Sequence, residues 1–134
     1  MKSSPIKAIA LRLSPNEDIK TSLDKYVLEN DIPAACIIAC VGSLAKVNIR
    51  FAGAAESKLV NGPFEILSLS GTLSTTGSHL HISLSDIDGN VFGGHLKENS
   101  PVYSTAEVVI GVLTDISFQR ITDPRTGWKE LFLS

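Results

Sequence analysis

Apolar and polar positions alternate with a period of two along most of the chain, which predicts strands. Residues 6–13 are apolar and β-branched at their start, the pattern of a first strand. Residues 34–41 form an unbroken apolar run, expected of a strand covered on both faces. Gly42-Ser43 reads as a turn into residues 44–52, where Leu44, Lys46, Asn48 and Arg50 alternate with Ala45, Val47, Ile49 and Phe51. Asn61-Gly62-Pro63 punctuates the chain before a strand over 64–74, and Thr76-Gly77 before one over 78–85. A long strand is predicted over 104–119, then a loop over 122–127 and a closing strand over 128–133.

One stretch keeps the helical period instead. Ile19, Leu23, Tyr26 and Val27 fall at i, i+4, i+7 and i+8, a single apolar face ending near Asn30, and Asp31-Ile32-Pro33 breaks it. Ser14-Pro15-Asn16-Glu17 reads as the start: Ser14 as cap, Pro15 at the first helical position, Glu17 completing a capping box. One N-terminal helix packed on a mostly antiparallel sheet is an α+β fold. At 134 residues a single domain is expected, its core over about 6–121.

The most informative segment runs from Ser78 to Leu96. His79, His81, Ser83 and Ser85 alternate with Leu80, Ile82 and Leu84, so the two sets face opposite sides of a sheet. Asp86-Ile87-Asp88-Gly89 has the residues of a type I turn closed by a left-handed glycine, a three-residue loop centred on Asp88. That loop sets Ser85 opposite Val91, Leu84 opposite Phe92 and His81 opposite His95. One face is then apolar, and the other holds all three histidines of the protein. A two-residue turn would shift the register by one and send His95 into the core. Opposed side chains have Cβ atoms ~5 Å apart and diagonal ones ~7–8 Å, so three imidazoles can converge on one ion. Three neutral imidazoles suit Zn²⁺ and leave a position open for water or substrate; nickel, copper or iron accept such a set too. The plain alternative is three solvated polar residues on the outside of a hairpin.

Charge narrows the choice of partner. The formal net charge is −2, and the twelve Lys and Arg are scattered without a run, whereas nucleic-acid affinity rests on clustered cations. Direct DNA binding by the isolated domain is therefore disfavoured, although a patch assembled by the fold would escape a reading of the sequence. Cys36 and Cys40 sit in an apolar run with neither zinc nor redox spacing and read as reduced core residues. No signal-peptide organisation and no apolar run of membrane-spanning length is visible, so a cytoplasmic protein with no membrane partner is expected.

The segment Gly77-Ser-His-Leu-His-Ile-Ser-Leu-Ser-Asp-Ile-Asp-Gly-Asn-Val-Phe-Gly-Gly-His-Leu96 resembles the central motif of the plants-and-prokaryotes-conserved (PPC) domain. Phe64-Glu-Ile-Leu-Ser-Leu-Ser-Gly71 resembles its second hallmark, and Leu11-Arg-Leu, Pro15-Asn-Glu-Asp-Ile19 and Gly42-Ser-Leu-Ala-Lys-Val-Asn-Ile-Arg50 resemble further blocks. The resemblance runs from about Ile6 to Phe118. It implies an α+β fold, a homotrimer and, as in prokaryotic members, a metal site on His79, His81 and His95. Plant members follow an AT-hook, which is why the family is often labelled DNA-binding; no Arg-Gly-Arg-Pro hook occurs here, and plant members lack the histidines. Pro63 also stands where many members have Arg before Phe-Glu-Ile-Leu, which puts any contact made by that Arg in doubt.

Among other residues, Glu65 lies in an apolar stretch and is a weak candidate for a general base beside a metal; pairing with Arg50 or Lys46 is the structural alternative. Cys40, Ser43 and Asn48, flanking the expected turn, are minor candidates for a cleft between subunits. Two functions follow: a homotrimeric binding or regulatory module with a bound metal and a protein or DNA partner, or a zinc-dependent enzyme acting on a small molecule.

Overall fold

The computed structural model describes residues 2–134. Strand β1 (Ile6–Leu13) leads to helix α1 (Ile19–Glu29), followed by β2 (Ala35–Arg50), β3 (Lys58–Leu73), β4 (His79–Ser85), β5 (Val91–Leu96), β6 (Val102–Leu113), β7 (Phe118–Thr122) and β8 (Lys129–Leu133). Six strands form one antiparallel sheet in the order β1-β6-β2-β3-β4-β5, and β7 and β8 make a separate hairpin. The expected α+β arrangement holds.

The sheet does not stay open. The first part of β2 pairs with β6, but at its far end Ile49 and Arg50 pair with Leu96 and His95 of β5. Strands β2, β3, β4 and β5 thus close a circuit. Inside it lies an apolar core in which Leu44, Val47, Ile49, Leu80, Leu84 and Leu96 are fully buried. Each such side chain contributes roughly 1.5–3 kcal/mol relative to an exposed one. Helix α1 covers the core with Ile19, Leu23 and Val27, and Tyr26 packs at its edge.

Four expectations need correction. The helix starts at Ile19, capped by Asp18, whose carboxylate accepts from the Thr21 amide at 2.8 Å. Ser14 and Glu17 do make half of a capping box, the Glu17 carboxylate accepting from the Ser14 amide at 2.6 Å. Helical propagation is blocked because Asn16 is left-handed (φ 71°) and the segment bonds to Val102 on both sides, through Asn16 N–H and Glu17 C=O. Gly42-Ser43 is no turn: β2 is continuous through it, with an irregularity between Gly42 and Leu44. Gly42 is required by close approach, since a Cβ there would lie 2.1 Å from the Thr105 carbonyl oxygen. Asn61-Gly62-Pro63 likewise lies inside β3, opposite another irregularity in β2. The strand expected over 104–119 is two, because the chain turns between Leu113 and Phe118.

Candidate metal centre

The β4–β5 hairpin has the register that its turn chemistry dictates: Ser85 faces Val91, Leu84 faces Phe92 and His81 faces His95. Gly89 is left-handed (φ 80°), its amide donates to the Asp86 carbonyl at 3.0 Å, and the Asp86 carboxylate accepts from the Asp88 and Asn90 amides. Leu80, Ile82, Leu84 and Leu96 turn inward. His79 and His81, paired with Thr72 and Ser70 of β3, stand on the opposite face with His95.

There the imidazoles converge. Ring centroids are 4.9 Å apart for His79–His81, 5.0 Å for His79–His95 and 5.7 Å for His81–His95. One nitrogen from each residue lies within 4.8 Å of the others. The Nε2 atoms of His79 and His81 are 3.1 Å apart; two ligands of one tetrahedral zinc are separated by about 3.3 Å. Nδ1 of His95 is buried without a hydrogen-bond partner, an atom that a coordinated ion or its neighbours would satisfy. The donor set fits a borderline divalent ion such as Zn²⁺. Burial, reinforced by His79, Arg50, Lys97 and His81, pushes His95 down to about 4. His79 is lowered as well, by burial first and then by His81 and Arg120. Both rings therefore stay neutral near pH 7, the form that ligates.

The surroundings come from distant parts of the chain. Arg50 pairs in register with His95, so their side chains share a face. Its guanidinium lies over the Trp128 ring, 4.9 Å from the centroid. Arg120 donates through Nη2 to Thr72 Oγ1, and Thr72 is the register partner of His79. The Glu130 carboxylate accepts from Thr126 Oγ1 at 2.9 Å. With the three histidines, Arg50, Arg120, Trp128 and Glu130 line a cavity of about 690 Å³.

Glu65 is not part of it. It is exposed, paired with Ser43 and Ser85, and five positions along β3 from the partner of His81, roughly 16 Å at strand rise. Among the described residues it forms no ion pair with Arg50 or Lys46. Alternation in a strand exposed on one face, rather than burial, accounts for a carboxylate between apolar neighbours. Cys40, Ser43 and Asn48 do not line the cavity either; Cys40 is buried, which pushes its thiol up to about 11. Sequence reasoning missed Arg50, Arg120, Trp128 and Glu130 because strand closure and the β7–β8 hairpin bring them in from outside the motif. The β2–β5 pairing carries no local signature.

Comparison with known proteins gives the geometry a context. The sequence model of the Plants and Prokaryotes Conserved (PCC) domain matches residues 2–114. The bifunctional protein GlmU of Synechococcus sp. (strain JA-3-3Ab) is 35% identical over 133 residues, covering 99% of this chain but 21% of that protein. The chain thus spans about a fifth of the length of that curated relative. A hypothetical protein from Salmonella cholerae-suis superposes with a TM-score of 0.96 at 39% identity, covering 99% of this chain and 96% of that one. A metal-containing protein from Archaeoglobus fulgidus superposes with a TM-score of 0.83 at 29% identity, covering 98% and 99%.

Proposed function

Since the chain belongs to the Plants and Prokaryotes Conserved domain family, we propose that it is a self-associating, regulatory binding module built around a divalent metal, most suitably zinc, held by His79, His81 and His95. The observation that carries this reading is the convergence of one nitrogen from each histidine within 4.8 Å. An archaeal relative of the same fold that is itself metal-containing supports it. Self-association is supported by apolar side chains left outside the core on the central strands, since Ile38 and Val41 of β2 and Leu67 of β3 are each more than half exposed; the homotrimer is what the family resemblance implies. Among the described residues no helix is long and apolar enough to cross a membrane, and two free thiols suit a cytoplasmic setting.

Metal analysis tests this function directly. Protein purified without chelator is expected to carry about one ion per chain. His79→Ala is expected to carry none. A wild-type chain that neither retains nor takes up zinc removes the reading.

A second reading, a metal-dependent enzyme acting on a small molecule, is favoured by Glu130. It is a half-buried carboxylate on the wall of the cavity that holds the histidines. A bound ion would supply a Lewis acid there; Glu130 would accept a proton from the reacting group, and Arg50 would orient that group. Loss of turnover in Glu130→Gln with metal content intact distinguishes this reading from a binding module.

A further inference from the structure

The wall of the cavity beside the three histidines carries an excess of positive charge. It has five cationic side chains against two carboxylates. One of those carboxylates, Glu98, is engaged by Lys20 at 3.2 Å, which also pairs with Asp24 at 2.7 Å. Lys97 also faces Glu98, which leaves Arg50, Arg120 and Lys129 with Glu130 as the one other carboxylate of the wall. Three imidazole ligands contribute no negative charge, so a divalent ion among them would keep its full charge and add to the excess.

The two guanidinia are fixed where they matter. Arg50 is held beside His95 by strand register and by stacking on Trp128, and Arg120 beside His79 by its bond to Thr72. Nε of Arg120 is buried without a partner, a donor still unsatisfied. Planar guanidinium forks match the geometry of carboxylate and phosphate oxygens. Trp128 adds an exposed aromatic surface at the rim. Cavities of this volume take molecules larger than a bare ion.

We propose that this cavity is the receptor for a small organic oxyanion, a carboxylate or phosphate ester, whose charged end is held by Arg50 and Arg120 over the histidine cluster while its body lies against Trp128. The proposal rests on the metal reading above for its full strength, but the guanidinia and the tryptophan belong to the chain itself. Arg120 and Trp128 lie beyond residues 2–114, the part matched by the family.

Trp128 is the sole tryptophan, so its fluorescence reports the cavity directly. The full chain, first loaded with zinc and assayed for metal content, is titrated with phenyl phosphate, benzoate and neutral benzyl alcohol. A saturable change with either anion and none with the alcohol is expected, and the comparison of the two anions separates phosphate from carboxylate. Arg120→Gln and Arg50→Gln are each expected to weaken anion binding about tenfold or more at unchanged zinc content. Arg50→Lys is expected to retain part of the affinity. Should Arg120→Gln fail to fold, Arg50→Gln carries the test alone. Full zinc content with no response to either anion, an equal response to benzyl alcohol, or arginine variants that bind as wild type would overturn the proposal. Absence of zinc uptake with anion binding intact would sink the metal reading and leave the oxyanion receptor standing.

Discussion

Replacing His81 by alanine separates the contribution of a bound ion from that of the fold. The side chain is exposed on β4, opposite Ser70 and His95, so its removal opens no cavity in the core. Surface changes of this kind cost about 0.5 kcal/mol or less. A ligand present at one hundred times its dissociation constant, and binding only the folded chain, stabilises by about 2.7 kcal/mol. Unfolding entropy near 2.1 cal/mol/K per residue gives a chain of this length about 0.28 kcal/mol/K, so zinc raises the melting temperature by about 10 °C. Differential scanning calorimetry of chelator-treated protein, with and without zinc at one fixed protein concentration, reads this directly. The wild type is expected to show the full shift. His81→Ala is expected to melt within about 2 °C of the metal-free wild type and to gain nothing from zinc. A zinc shift of undiminished size in His81→Ala would refute the reasoning, because the ion would then be held elsewhere.

Three further outcomes are expected. Metal-free protein loses stability as pH falls from about 6.5 toward 4: His95 and His79 are lowered by burial, so below the ordinary histidine value the unfolded chain takes up protons that the folded one refuses. Urea midpoints at pH 7.5 and pH 5 measure this, and His95→Asn should flatten the dependence. Gly71→Ala should destabilise strongly and weaken zinc uptake, since φ is 143° and a Cβ there would meet the His79 carbonyl oxygen at 1.9 Å, forcing β4 away from β3; chemical denaturation with metal analysis checks both. Val41→Asp places a charge on the exposed apolar strand surface and should leave a folded monomer by sedimentation equilibrium, whereas an unchanged assembly would remove that surface as the interface.

The histidine hairpin was legible in the sequence because everything that shapes it is local. Asp86 and Gly89 define the turn, alternation defines the faces, and only one register satisfies both. Strand β1 and the apolar face of α1 were legible for the same reason. The rest depends on distant partners. Gly42 reads as a turn when only its neighbours are considered, yet it is the close passage of Thr105 that requires a glycine there. Ser14 and Glu17 spell a helix start, but pairing with Val102 competes and wins. Glu65 looked buried from its apolar neighbours, whereas the face it occupies is open. Arg50 and Arg120 reach the histidines through β2–β5 pairing and through Thr72, relations that no window of consecutive residues contains.

All three imidazoles stand on one short hairpin, while the groups around them arrive from both ends of the polypeptide. Mutations therefore act on two separable hereditary units. Substitutions in β7–β8 can reshape the cavity wall with the three imidazoles untouched, so a proposed ligand and a proposed ion can be altered independently of one another.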